Sequence, residues 1–292
     1  ITTTTAGTSN FRAGVNAGDS IASGGNYNVV VGDEAGTAIS TGDSNVAIGY
    51  QALDLEDTGS NNVAIGGGAL STQNYDGAAY NTAVGYGAGN LVATGTLNTL
   101  IGGLAGDALT TGGGNTLIGY AAGGATTGTN NVIVGQAGQV QVGVNDTVAM
   151  GDGALQTNTE SNKNTAIGRS ALRVHNIDGD GLNTAVGFNA GIAVSTSVNN
   201  TMFGANAGVL TNTGHSNTFI GQDAGGSNTS GDSNIVIGNG IDAASATADS
   251  QLNIGGWITG LAGLIGIGTN DPQTGLHVQG ADGSVNGTIK IT

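Results

Sequence analysis

Few residues in this 292-residue sequence could do chemistry on their own. There is no Cys, so disulfides and thiolate metal sites are excluded. The three histidines, at positions 175, 215 and 277, stand far apart, and no Ser-His-Asp set or metal-ligand cluster accompanies them. Paired carboxylates are the equipment of polysaccharide hydrolysis, and Glu56/Asp57 and Asp178/Asp180 are the only candidates. A groove for that reaction needs a wider coil and more aromatics than the 4% present here. Asp54-Leu55-Glu56-Asp57 and Asp178-Gly179-Asp180-Gly181 offer oxygens to a hard cation such as Ca²⁺. Neither fits a known calcium-loop spacing, and both are expected to be solvated acidic turns. Accordingly no catalytic residue, metal ligand or cofactor is assigned.

One cluster of charge stands out. Lys163, Arg169 and Arg173 are three of only five basic residues, and His175, Glu160, Asp178 and Asp180 lie close by. They read either as ion pairs or as a contact for an acidic surface glycan. The net charge of −15 argues against a nucleic-acid partner, because phosphates need a basic surface. No apolar run approaches membrane-spanning length, so insertion into a bilayer is not expected.

These residues need a scaffold, and the sequence spells one out. The stretch "NVAIGYQAL" (Asn45 to Leu53) returns as "NVAIGGGAL", "NTAVGYGAG", "NTLIGYAAG", "NTAIGRSAL" and "NTAVGFNAG". Sixteen glycines close such units, from Gly14 to Gly268, mostly 17 residues apart. Asn stands four residues before this glycine in 13 of the first 14 units, and Ala three residues after it in 12 of them. Such a period predicts stacked coils, each touching its neighbours. With 57 Gly, one Pro and much Val, Ile and Thr, the chain is read as all-β, neither collagen-like nor disordered. The three residues before the glycine are small or apolar, with Arg12 in the first unit the one charge, as in strands of a parallel sheet buried on both faces. One face is expected to fill the coil. The other, read as including Ala47, Ala64, Leu100, Leu117, Ile133, Met202 and Phe219, is expected to be covered by identical chains in a closed trimer.

The remaining columns are read as turn chemistry. Thr-Gly pairs at 41–42, 58–59, 94–95, 111–112, 127–128 and 213–214 are expected to supply positive φ at a corner. The Asn column should satisfy turn backbone groups and bond to the Asn above and below. A Thr column (Thr82, Thr99, Thr116) could in principle face ice, but Val46, Val63 and Val132 interrupt it and burial is expected. Aromatics one past the glycine (Tyr50, Tyr86, Tyr120, Phe188) could stack on sugars or pack between chains.

The repeated unit resembles the head repeat of trimeric autotransporter adhesins and is similar to repeats of bacteriophage tail fibres, over about Asn10 to Asn239. The resemblance implies a homotrimer of left-handed parallel β-rolls. "IGIGTNDPQTGLHVQG", Ile265 to Gly280, resembles the segment that precedes an endosialidase-type intramolecular chaperone in phage fibres. That points to a fibre whose chaperone domain lies outside this sequence, and the opening "ITTTTAGTSN" reads as the middle of a longer chain. An adhesin would continue into a coiled-coil stalk, and no heptads appear.

The expectation is therefore a parallel β-solenoid of about 16 coils over residues 1–254, trimerised side by side. A transition or capping segment follows over 255–292, with Trp257 plugging the open end and Pro272 marking the stop. The expected role is a structural and adhesive segment of a phage tail fibre, extracellular on the virion, presenting a surface to a host glycan or protein receptor. The alternative is the head of a bacterial trimeric adhesin, and a depolymerase is a further one. Departures from the columns are where recognition would sit. Two gaps of 19 residues carry "STQNYDGAAY" (71–80) and "RVHNIDGDGL" (173–182). With Arg169 beside the second, they yield the receptor-contact candidates Tyr75, Asp76, Tyr80, Arg169, Arg173, His175, Asp178 and Asp180. The competing reading is that both are tolerated insertions.

Overall fold

Residues 7–138, 143–261, 263–269 and 275–279 are described by a computed structural model. They form an all-β parallel solenoid of about 14 turns with a ~17-residue repeat, and no helix occurs among them. The chain divides into two compact units, Ile1–Glu160 and Ser161–Thr292. The first holds β1 (Phe11–Ala13), β2 (Val29–Val31), β3 (Val46–Ile48), β4 (Val63–Ile65), β5 (Thr82–Val84), β6 (Thr99–Ile101), β7 (Thr116–Ile118), β8 (Val132–Val134) and β9 (Val148–Met150). The second holds β10 (Ser161–Asn162), β11 (Thr165–Ile167), β12 (Gly179–Asp180), β13 (Thr184–Val186), β14 (Thr201–Phe203), β15 (Thr218–Ile220), β16 (Ile235–Ile237), β17 (Leu252–Ile254), β18 (Ile258–Leu261), β19 (Leu264–Ile267) and β20 (Leu276–Val278). Within each unit the repeat strands pair in parallel and in register, as in Val46↔Val63, Ala47↔Ala64 and Ile48↔Ile65.

Sixteen coils were expected from sixteen glycines, and the difference lies at the C-terminal end. Gly238 still adopts the corner conformation, φ +141, whereas Gly255 and Gly268 have φ +60 and +76. After β17 the chain reverses, so that β17–β18 and β18–β19 are antiparallel. Trp257, expected to plug the stack, is 78% exposed and does not do so. Pro272 lies outside the described residues.

Each repeat strand is only three residues long because both of its ends are fixed. The residue before the Asn is left-handed in coil after coil, as at Ser44 (φ 59), Leu97 (φ 62) and Ser233 (φ 57). The glycine after the strand turns at φ near +130, a region closed to other residues. At Gly49 (φ +133) an added Cβ would stand 2.6 Å from the carbonyl carbon of Gly66 in the next coil. Conformation and contact both demand glycine there.

The middle residue of each repeat strand faces inward. Ala47, Ala64, Leu100, Leu117 and Ile133 in the first unit, and Met202 and Phe219 in the second, are fully buried within the single chain. This corrects the sequence expectation, which placed them on the outer face. They pack with the Ala column, Ala52, Ala69, Ala88 and their equivalents, also fully buried. Leu53, Leu70, Leu155 and Leu172 are held left-handed (φ 47 to 53) one step beyond that column. Other coils have glycine there. The Leu70 Cδ2 lies 3.0 Å from where a Cβ on Gly89 would stand, so a leucine in one coil fills the space its neighbour leaves. Burying each such leucine yields about 2–3 kcal/mol, enough to offset a strained backbone of about 1 kcal/mol.

The Asn column stitches the coils together. The Asn45 backbone N–H donates to Asn28 Oδ1 (2.9 Å), and Asn45 Nδ2 donates to the Gly59 carbonyl (2.8 Å). The same pair of bonds recurs at Asn115 and Asn200. Asn98 Nδ2 also reaches Asn81 Oδ1 (3.1 Å), so bonds between stacked Asn side chains form as expected. The acceptor carbonyls belong to the Thr-Gly glycines. None of those six glycines is left-handed, which corrects the expected reason for their presence. They are glycine because of crowding: a Cβ on Gly42 would meet Gly59 O at 2.2 Å, and one on Gly95 would meet Gly112 O at 2.4 Å.

Candidate functional site

The two 19-residue segments turn out to share one plan. Aligned on the following Asn, they read Gln73-Asn74-Tyr75-Asp76-Gly77-Ala78-Ala79-Tyr80 and His175-Asn176-Ile177-Asp178-Gly179-Asp180-Gly181-Leu182. Asn74 N–H donates to the Ala93 carbonyl (2.8 Å), and Asn176 N–H to the Ser195 carbonyl (2.9 Å). Each loop adds a short parallel rung to the coil before it: Ser60 bridges Ala78, and β10 pairs with β12. Gly77 (φ +141) and Gly179 (φ +97) occupy equivalent positions in the two loops, both at positive φ.

The buried half is core. Gln73 and His175 sit eleven residues after the Asn of their coil, where other coils place the fully buried Ile39, Val92 and Leu109. Gln73 Oε1 accepts from Asn81 Nδ2 (2.7 Å). Nε2 of His175 lies 2.9 Å from Ser161 Oγ and 3.3 Å from Asn183 Nδ2. An amide nitrogen can only donate, so Nε2 is the acceptor and the ring proton sits on Nδ1. That Nδ1 finds no partner. Burial holds the His175 pKa down at about 4, so the ring is neutral at physiological pH. A candidate receptor contact by its type, His175 is fully buried and cannot meet a receptor from there.

Glu56 corrects a second expectation. Read as part of a solvated acidic turn and as half of a carboxylate pair, it is fully buried beneath the first loop. Its Oε1 accepts from the Gly59 N–H (2.8 Å), while Oε2 lacks a partner. Burial pushes its pKa up against the opposing pull of the Gly59, Tyr75 and Asp57 backbone amides. Asn62 Nδ2 and Gln73 Nε2 are also without partners, leaving two donors and one acceptor unsatisfied around this loop.

The exposed half carries the other candidates. Tyr75, Asp76 and Tyr80 are exposed on the first loop, and Thr58 Oγ1 donates to Asp76 Oδ1 (2.7 Å). Arg173, Asp178 and Asp180 are exposed on the second. Lys163 pairs with Asp180 (2.6 Å), whereas the Arg169 guanidinium lies over the Phe188 ring, 5.9 Å from its centroid. The basic cluster therefore divides among separate partners. Among the described residues no group of three or more His, Asp or Glu could hold a metal ion.

Sequence reasoning misplaced the broadest surface feature. On the outer side of the first unit, the third strand position stacks as Ile48, Ile65, Val84, Ile101, Ile118 and Val134, half-buried to exposed. Beside it runs the Thr/Val column of first strand positions, half-buried and not enclosed. In the second unit the same column includes Phe203 (56% exposed) and Ile220. Residue type does not separate the two faces: strand centres run from Ala47 to Phe219, and third positions from Ala13 to Phe203. Comparison with protein-family models, with curated proteins and with solved structures returns no match.

Proposed function

We propose that the chain is a structural and adhesive segment of a bacteriophage tail fibre, a homotrimer that holds a surface for a host glycan or protein receptor outside the virion. The observation that carries this reading is the outer stripe of Ile48, Ile65, Val84, Ile101 and Ile118. The interior of each coil is already filled by its own Ala, Leu and strand-centre side chains. The stripe is thus an apolar surface, half-buried to exposed, that no described residue encloses, and contiguous patches of this kind mark association sites. Identical parallel chains related by a closed rotation would bring stripe to stripe in every coil at once. The repeat supports the mechanical role, since each coil is bonded to the next through backbone rungs and the Asn column. The exposed halves of the two loops, with Tyr75, Asp76, Tyr80, Arg173, Asp178 and Asp180, are the proposed receptor-facing departures from that regular surface.

The test is mass by light scattering at micromolar concentration. The expected value is three times the 28.1 kDa of one chain. A folded single chain under those conditions would overturn the trimer. Adsorption of the purified trimer to bacterial cells, and its competition with intact phage, then tests the adhesive role.

A further inference from the structure

The column one residue past the corner glycine runs Tyr50, Gly67, Tyr86, Gly103, Tyr120 on five successive coils, β3 to β7. Aromatic and glycine alternate. The tyrosines are 56%, 75% and 62% exposed. The Tyr86 and Tyr120 rings lean the same way. Tyr86 Cδ2 and Cε2 come within 3.6 and 3.9 Å of where a Cβ on Gly67 would stand, and Tyr120 covers Gly103 at the same two distances. Each glycine thus leaves a gap that a ring partly roofs. Between Tyr50 and Tyr86 the gap opens into a cleft of about 250 Å³, floored by Gly67 and Gly68 and edged by Gln51, Ser71 and Asn90. Rungs in a sheet are 4.7–4.9 Å apart, so tyrosines on every second coil repeat at roughly 9.6 Å.

We infer that this ladder is a binding site for an extended, uncharged β-1,4-linked hexose chain lying along the coil stack, with its sugar rings on Tyr50, Tyr86 and Tyr120. In such a chain successive rings advance by nearly one rung and are turned over about the chain axis. Every second ring therefore offers the same C–H face, which matches a tyrosine on every second coil and a glycine between. The cleft is smaller than the about 300–1,000 Å³ usual for an enclosed small molecule, and suits a strand that lies across it and continues beyond both ends. Gln51, Ser71 and Asn90 bring amide and hydroxyl groups to the edge of the cleft, with Ser71 Oγ donating to Asn90 Oδ1. Charge selects the neutral class. Glu34, Asp33 and Asp54 surround Tyr50, with Glu34 accepting from Gln51 Nε2 (2.8 Å). These carboxylates raise the Tyr50 phenol pKa and keep it protonated, and they repel an anionic glycan while accepting from sugar hydroxyls. The Tyr column lies past the corner from the apolar stripe, so glycan binding does not compete with the proposed chain–chain contact.

This inference rests on the adhesive reading, and the experiment separates the two. The full chain and its Tyr86→Ala and Tyr86→Phe variants are titrated by calorimetry with cellohexaose and, as the anionic counterpart, hexagalacturonate, and each is weighed by light scattering. Cellohexaose should bind the parent chain, about tenfold more weakly after Tyr86→Ala, with Tyr86→Phe close to the parent because stacking needs the ring and not the hydroxyl. Hexagalacturonate should not bind, and mass should stay constant throughout. No cellohexaose binding, equal binding by Tyr86→Ala, or loss of assembly in that variant overturns the ladder, the last by making the column a subunit contact. If the parent chain coats bacterial cells yet ignores cellohexaose, the adhesive role stands and the ladder falls; the reverse result retains the ladder and rejects host adhesion.

Discussion

The loops at 71–80 and 173–182 enlarge the coil by the same two residues, at the same corner, with the same Asn-x-Asp-Gly core. They differ in what fills the buried corner. The first uses Gln73, with Glu56 in the same column one coil earlier, and the second uses His175 beside Ser161. Both are polar groups, in a column where coils of ordinary length place Ile39, Val92 and Leu109 but also the buried Glu56, Thr126, Asn158, Thr211 and Asn228. The lesson is that a polar residue in this column does not follow from the wider coil; the two loops are set apart by which polar group each one uses. In both wide coils the next Asn of the stitching column meets that group, Asn81 donating to Gln73 and Asn183 to His175, as Asn234 does to Asn228 in a coil of ordinary length. Because one solution carries a buried acid and the other a buried base, the two corners should respond to pH in opposite directions.

The shared part of the design predicts the largest effect. Asn81 bonds to Gln73, to the Gly95 carbonyl (2.7 Å) and, through Oδ1, to the Asn98 N–H (2.9 Å). Asn183 bonds in the same way to His175, the Ser197 carbonyl (2.9 Å) and the Asn200 N–H (3.0 Å). Asn81→Ala and Asn183→Ala each strand several buried partners and should each cost about 4 kcal/mol in chemical denaturation. A difference of more than about 1 kcal/mol between them would break the claim that the two loops hang from one anchor.

The difference between the loops comes next. His175 is held near pKa 4 by burial, below its ordinary 6.5. At neutral pH neither folded nor unfolded chain carries the proton. As pH falls below 6.5 the unfolded chain takes it up first, so stability drops until the folded ring titrates near pH 4. The full loss is about 3 kcal/mol. Amide exchange at Thr184 and Asn183 should quicken across that window and, after His175→Gln, should not. Exchange at Thr82, next to the Gln73 corner, should lack this acid step. An identical acid response at both corners would remove His175 as its cause.

Glu56 runs the other way. Its folded pKa lies above the unfolded value because burial disfavours the carboxylate. Acid therefore favours the native first loop, and stability declines as pH rises through and above the ordinary carboxylate range. Glu56→Gln should raise stability at pH 7 by about 1–2 kcal/mol, since it removes a buried charge with one unpartnered oxygen and retains an acceptor for Gly59 N–H. Thermal melts at pH 7 and pH 4 measure this: the variant's gain should shrink at the lower pH. A variant less stable than the parent at pH 7 would show that the carboxylate is satisfied in place.

What the sequence made legible follows from what repeats. The Asn, Gly and Ala columns stand out because each serves a contact with the same residue one coil away, so the register appears as identity. The inward face was misread because a three-residue strand apolar at every site contains no alternation, and residue type does not help: Phe219 points inward and Phe203 outward. Six Thr-Gly glycines were explained by φ when the cause is a carbonyl in the adjacent coil, which no local pattern reports. His175 was grouped with Arg173 by charge. Counting eleven residues from Asn164 puts it instead in the column of Val92 and Leu109, and that count was available. The Tyr/Gly alternation was visible as a list of aromatics; the cleft it makes depends on which way the rings lean. Trp257 shows the limit, since a large apolar side chain beside an open end does not have to cover it.

The smallest effect belongs to the charges that first drew notice. Lys163 and Asp180 are paired at 2.6 Å, with 47% and 41% of their side chains exposed. Water and salt screen such a pair, and two long side chains lose freedom to form it, so Lys163→Ala should cost under about 0.5 kcal/mol. Lys163 also occupies the left-handed position before Asn164, φ 57, where Asn61 stands in the coil before the first loop. Lys163→Asn restores a residue suited to that backbone and should recover the loss or exceed it. If Lys163→Ala instead destabilised the second loop by several kcal/mol while Asn61→Ala left the first unchanged, the ion pair would be what holds the wider coil shut. The equivalence of the two corners would then be limited to their backbone path.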